Sequence, residues 1–134
     1  MAASQNAILT RDQLAGLPQS FFNAVDRKDL DAVVSHFSQD AIFTIKTAHV
    51  TFTGPDEIRH SFADFINNTK HMLHDIKSIV VDEINGKVAT QQRYTGELLD
   101  GTKNEMHNCN FFDVGPDGKF TRVVVFMTGA SPLK

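Results

Sequence analysis

Asp26, His71 and His74 are the residues of this chain best suited to moving protons. Asp26 follows Phe22 by one helical turn, so a carboxylate shares a helix face with an aromatic side chain expected in the core. A carboxylate in such a place needs a partner, and an imidazole both supplies one and exchanges protons near neutral pH. Two imidazoles compete for that role. His71 stands where a helical segment hands over to a strand. His74 turns inward with Met72, Ile76 and Ser78 if the strand alternates strictly, because Asp75 and Lys77 look outward. A bulge at the strand start would reconcile the two readings.

Groups that could hold a substrate oxygen lie further along. Asn108 and Asn110 share a strand face with Met106 and Phe112, and Thr90, Gln92 and Tyr94 make a polar stripe on the strand before it. Amides on an otherwise apolar face suit the orientation of a carbonyl or hydroxyl, and a tyrosine can donate a hydrogen bond from an apolar setting. Phe22, Phe62 and Phe65 can serve as core and pocket wall together. The pattern points to a hydrophobic, oxygenated small molecule as ligand. His36, His49, His60 and His107 have no distinguishing context and read as surface residues. The His and carboxylate positions lack the compact spacing of a metal site, so no metal is expected.

The elements that must position these groups fall in two blocks. Helices fill the first half. Thr10 with Gln13 resembles a capping box ahead of Leu14, Leu17, Phe21, Phe22 and Val25, with a kink or restart expected at Pro18. Asp29 suits the N-cap of a short helix carrying Leu30, Val33, Val34 and Phe37. Strands are expected over Ala41 to Ile45 and near His49 to Thr53. Gly54-Pro55-Asp56 then opens a helix that buries Ile58, Phe62, Phe65 and Ile66 and ends at Asn67-Asn68. In the second half, Asn85-Gly86, Asp100-Gly101 and Asp117-Gly118 separate apolar, β-branched runs and supply the positive φ angles of hairpin turns. Four antiparallel strands follow: one beginning near His71 and running through Ile76 to Val81, then Val88 to Tyr94, Met106 to Val114, and Phe120 to Met127. In the last, Phe120, Arg122, Val124 and Phe126 take one face and Val123, Val125 and Met127 the other, so both faces are largely apolar. A partner subunit is the natural cover for the outer one, which predicts a homodimer.

A chain of 134 residues with 41% hydrophobic content, eleven Phe and no Trp is expected to form one domain, residues 1–134, around a single core. A net charge of -3 without a basic stripe argues against nucleic acid as a partner. The lone Cys109 can close no internal disulfide, which is compatible with a reducing compartment. The opening residues lack the pattern of a secretory signal, and no apolar run approaches the ~20 residues that span a bilayer. No membrane association is expected, and the location read from the sequence is cytoplasmic. The first eight or so residues and the Ala130-Ser131-Pro132 tail read as loose ends.

Several segments together resemble a known family. Phe21-Phe22-Asn23-Ala24-Val25-Asp26-Arg27-Lys28-Asp29-Leu30-Asp31, Phe37-Ser38-Gln39-Asp40-Ala41 and Gly54-Pro55-Asp56-Glu57-Ile58-Arg59 look like the SnoaL-like branch of the nuclear-transport-factor-2-like superfamily. Lys70-His71-Met72, Gly86-Lys87-Val88-Ala89, Phe111-Phe112-Asp113-Val114 and Asp117-Gly118-Lys119-Phe120 extend the likeness over nearly the whole chain. The resemblance implies an α+β cone, a curved antiparallel sheet packed on N-terminal helices and enclosing a pocket, with dimerisation through the outer sheet face. Polyketide cyclases, scytalone dehydratase, ketosteroid isomerases, limonene epoxide hydrolases and non-catalytic proteins share that superfamily. The Tyr near Phe21 and the Asp residues near Ile45 and Asn110 that a ketosteroid isomerase would carry are absent. Against scytalone dehydratase, the pocket Asp would fall at Asp26, a His at His71 and an Asn at Asn108 or Asn110, while a second pocket His has no counterpart. The resemblance thus favours His71 over His74.

The function expected from residues and resemblance together is cofactor-free cyclisation, isomerisation or dehydration of a polyketide-like or terpenoid-like molecule by general acid-base catalysis. The alternative is a non-catalytic dimeric binding or interaction module built on the same cone.

Overall fold

The computed structural model describes residues 9–129, which leaves both expected loose ends outside the described residues. Helix α1 spans Arg11–Asp26 and begins with the capping box: Gln13 N–H donates to Thr10 Oγ1 and the Gln13 side chain accepts from Thr10 N–H. The helix runs unbroken through Pro18, contrary to the expected restart. Pro18 lacks the N–H that would complete one helical bond, but its ring is buried, and apolar packing there offsets the lost bond. Helix α2, Leu30–Ser35, starts from Asp29, whose side chain accepts from Ala32 N–H. It ends before Phe37, which opens strand β1 instead of closing the helix. Helix α3, Gly54–Asn67, has Pro55 in its first turn and Asn68 as C-cap.

The strands are β1 (Phe37–Ile45), β2 (Val50–Thr53), β3 (Thr69–Asp82), β4 (Lys87–Leu98), β5 (Lys103–Val114) and β6 (Phe120–Phe126). The three expected turn glycines, Gly86, Gly101 and Gly118, all take positive φ, at 65°, 92° and 80°. Strands β3 to β6 form the expected antiparallel meander. The sheet order is β2-β1-β6-β5-β4-β3, and β1 runs parallel to β6, so the curved sheet is mixed rather than wholly antiparallel. The long connection from β1 through α3 and the meander makes a parallel return possible, which hairpin turns alone cannot provide.

Bulges decide which side chains face inward. On β3, two residues oppose one of β4 between Thr69 and His71, and again between Ile76 and Ser78. The first bulge turns Met72, His74 and Ile76 toward the helices and His71 and Leu73 outward; the second turns Ser78 outward and Ile79 and Val81 in. A third, on β6 between Phe120 and Arg122, puts Phe120 in the core with Val123 and Val125 rather than on the outer face with Arg122. Each extra residue reverses the period-two alternation beyond it.

The core between helices and sheet is largely phenylalanine. The Phe21 ring packs edge-on against Phe37, Phe62, Phe112 and Phe120 at centroid distances of 5.6 to 6.2 Å. Each fully buried Phe contributes roughly 1.5–3 kcal/mol relative to exposure. His36 joins the helices to one another. Its Nδ1 lies 2.6 Å from Ala32 O, so it must carry the proton, and Nε2 then accepts from Ser20 Oγ at 2.9 Å. Burial lowers its pKa from the usual histidine value. This is a structural role, unlike the surface reading of the sequence.

Candidate active site

The end of α1 is fixed before the chemistry begins. Lys28 takes a left-handed conformation, φ 62°, just past the helix, and its Nζ donates to the carbonyls of Thr69 and Lys70 at the start of β3. Helix end and strand start are thereby tied together, and Asp26 meets β3 one turn away. Asp26 Oδ2 accepts from the main-chain N–H of His74 at 2.9 Å, and Oδ1 lies 2.6 Å from His74 Nδ1. Both side chains are largely buried, 14% and 12% exposed. A carboxylate facing an imidazole at this distance fixes the tautomer: Nδ1 carries the hydrogen and Nε2 keeps its lone pair. Phe22 stacks on the imidazole from α1 at 4.7 Å with the planes 7° apart, and the Tyr94 ring sits 4.9 Å away on the neighbouring strand β4.

His71, which the family resemblance favours, is elsewhere. Its side chain is 69% exposed on the outer face, where Nε2 lies 3.2 Å from Glu97. The bulge at Lys70 is the cause: it reverses the strand so that His74 takes the inward place. The order of residues along the chain carries no trace of that extra residue.

His74 lines a narrow cavity between α1, α3 and the concave sheet face, with Phe22, Phe43, Phe62, Phe65, Met106 and Met127 among its walls. Its volume is about 40 Å³, enough for a water or two. Gln92, Tyr94, Asn108 and Asn110 also line it, as the sequence suggested. Phe112 does not. It is fully buried behind the wall, 4.8 Å from Phe120, and belongs to the core. Phe21, Val25, Phe43, Met106, Val125 and Met127 are wall residues that the sequence did not single out for this role, because an inward strand or helix position reads the same whether it meets a neighbour or a void.

The polar groups of the cavity divide into two sets. Thr90 Oγ1 donates to Gln92 Oε1 at 2.7 Å, and Gln92 Nε2 donates to Asn110 Oδ1 at 2.8 Å, a chain that uses its own acceptors. Tyr94 Oη and Asn108 Oδ1 are buried with no hydrogen-bond partner among the described residues. Burial pushes the Tyr94 hydroxyl up to about 12, and the Asp26 charge adds to the shift, so the phenol stays protonated and able to donate. Among the described residues, no group of three or more His, Cys, Asp or Glu is placed to hold a metal ion, and no helix is long and apolar enough to cross a membrane.

A bent sheet wrapped on three helices, with a hydrogen-bonded Asp26–His74 pair at the inner wall, defines a pocket-bearing α+β cone of the nuclear-transport-factor-2-like kind. Residues 19–123 match the SnoaL-like domain, and the chain belongs to that family. No curated protein matches the sequence. Solved structures share the fold. The epoxide hydrolase/cyclase-like enzyme SalBIII, which takes part in pyran ring formation in the polyether salinomycin, is 16% identical and superimposes with a TM-score of 0.79 over 90% of this chain and 94% of its own. BvnE pinacolase from Penicillium brevicompactum is 18% identical, with a TM-score of 0.78 over 88% and 84% of the two chains. A Novosphingobium aromaticivorans protein named as an aromatic ring hydroxylase is 26% identical, with a TM-score of 0.78 over 89% and 90%.

Proposed function

We propose that the protein catalyses a cofactor-free isomerisation, cyclisation or dehydration of a hydrophobic, oxygenated small molecule, with His74 as general acid-base. The observation that carries this reading is the 2.6 Å contact of His74 Nδ1 with Asp26 inside an aromatic cavity. With Nδ1 held by the carboxylate, Nε2 can take a proton from a carbon or hydroxyl of the ligand, and Asp26 stabilises the imidazolium that results. Tyr94 can donate to the oxygen on which negative charge develops. Return of the proton at a second position completes an isomerisation. Attack by the enolate carbon on a second carbonyl of the ligand closes a ring, with the C=O π bond breaking and its oxygen taking the proton back from His74 Nε2. Delivery of that proton to a leaving hydroxyl instead gives dehydration, with water as the leaving group. Ring-forming and rearranging enzymes among the structural relatives support the same reaction class.

The free volume of about 40 Å³ sets a condition on the ligand. Met106 and Met127 in the wall are unbranched and adaptable, so their rearrangement is the least costly way to enlarge the cavity. The same small volume supports a second reading, a non-catalytic binding or interaction module whose pocket is filled by its own Phe side chains.

Exchange of the activated C–H protons of 2-tetralone in D2O, followed by NMR, separates the two. Acid-base catalysis predicts exchange above the buffer rate and a loss of about 10² to 10⁴ in His74→Ala, with His71→Ala unaffected. Equal rates with wild type, His74→Ala and buffer would favour the binding module.

A further inference from the structure

The end of α1 grips the free edge of β3 at two points. Among the described residues β3 is the last strand of the sheet, so the carbonyls and N–H groups on its free side face no neighbouring strand. Asp26 accepts one of those N–H groups, that of His74, and Lys28 Nζ donates to two of the carbonyls, Thr69 O at 2.5 Å and Lys70 O at 2.9 Å. Successive carbonyls of a regular strand point to opposite sides, so one ammonium cannot reach both. Here it does, because the extra residue at Lys70 bends the backbone and brings the two oxygens to one side. The ammonium therefore recognises the bulge itself.

The backbone at Lys28 would be better served by another residue. Its φ of 62° lies in the left-handed region, where glycine stands without steric cost and lysine does not. The side chain, not the main chain, is what suits lysine to this place.

The bulge decides which histidine faces the cavity. Without the extra residue, Lys70 would oppose Glu97 and His71 would oppose Gly96, so the stretch up to Ile76 would exchange faces. His71 and Leu73 would turn inward, and Met72 and His74 outward. The second bulge, between Ile76 and Ser78, can take up the displaced residue, so the rest of β3 need not move. Two registers of one short stretch thus compete, and they differ in whether Lys28 keeps both of its acceptors.

We propose that Lys28 is a positioning residue that holds the bulge at Lys70 and thereby selects His74, rather than His71, as the imidazole in the cavity. Its bearing on proton transfer rests on the acid-base reading of His74; its hold on the register does not.

Diethyl pyrocarbonate, which acylates accessible imidazoles, tests the assignment when its adducts are located by fragment mass spectrometry within the tryptic peptide His71–Lys77. In wild type His71 should be labelled and His74 spared, as side-chain exposures of 69% and 12% require. In Lys28→Met the ratio of His74 to His71 label should rise about tenfold or more, the shift between two states that loss of a hydrogen bond to a charged group produces. Lys28→Arg, whose guanidinium can also donate to two carbonyls, should keep the wild-type ratio. Lys28→Gly removes the ammonium while relieving the left-handed backbone, so it should raise the ratio as Lys28→Met does, with a thermal midpoint nearer wild type. It also decides the matter should the methionine variant fail to fold. An unchanged ratio in Lys28→Gly would overturn the proposal. So would label appearing equally on His74 and on His36, whose Nε2 is engaged by Ser20, because that marks general loosening rather than an exchange of faces. Labelling requires no turnover, so 2-tetralone exchange can fail while the register result stands, and the reverse.

Discussion

Asp26 accepts twice from His74, from its main-chain N–H at 2.9 Å and from Nδ1 at 2.6 Å, so one carboxylate sets both the place of β3 and the tautomer of the imidazole. Asp26→Asn leaves the shape but changes the proton. The amide can donate to Nδ1, which moves the imidazole hydrogen to Nε2 and removes the free lone pair. Exchange of 2-tetralone should fall by about 10²-fold or more. Denaturant unfolding should show a loss of roughly 1–3 kcal/mol, as expected for a broken charged hydrogen-bond pair.

Tyr94 is the sole tyrosine of a chain without tryptophan, so tyrosinate absorbance reports on it alone. Spectrophotometric titration should give a value near 12, above the usual 10.0. Asp26→Asn should lower it, because the nearby charge is gone while the burial remains. The sign for stability follows. The contribution of the neutral phenol is complete below pH 10.0, where the unfolded chain is also protonated, and is lost as pH rises from there through about 12.

His36 predicts an acid-side loss. Burial and the charges of Lys119 and Arg27 lower its pKa, against hydrogen bonds with Ala32 and Val33 that raise it. The unfolded chain therefore binds a proton first as pH falls below 6.5, and stability declines until the folded value is passed. Unfolding midpoints measured between neutral and mildly acidic pH should drop less in His36→Gln than in wild type.

On the outer sheet face Phe111 and Phe126 pack edge-on at 6.0 Å, yet remain 48% and 43% exposed. Ile42 adds to the apolar surface. Light scattering is expected to give about twice the 14.9 kDa chain mass, and Phe126→Glu to give a folded monomer.

Local signals made the element order legible: the Thr10 capping box, Asp29, Pro55 and the glycines of three turns each act within a few residues of themselves. Their order also carried the family. The parallel join of β1 to β6 was not legible, because it depends on a pairing between distant segments and leaves no local mark. Alternation between Asp75 and Lys77 already turned His74 inward, and only the choice against His71 was left open, for a related reason. Asp26, Tyr94 and Asn108 were visible as chemistry, whereas the choice between His71 and His74 hung on one bulge at Lys70. The bulge at Thr121 likewise moved Phe120 from the outer face to the core. Bulged residues have no compositional signature that sets them apart from neighbouring strand positions.

Strand β6 occupies the middle of the sheet, between β1 and β5, although it is the sixth strand in chain order. Thr47 and Met127, joined by a hydrogen bond there, are 80 residues apart. A growing chain must therefore hold β1 and its apolar Ala41, Phe43 and Ile45 without their neighbour until the whole meander has been made. Contacts of such long range form slowly, and an unsatisfied strand edge is a template for other chains in the meantime. Production of this protein should be limited by what happens to the nascent N-terminal layer before its central strand arrives, and conditions that shield that edge should raise the yield more than changes to the finished surface.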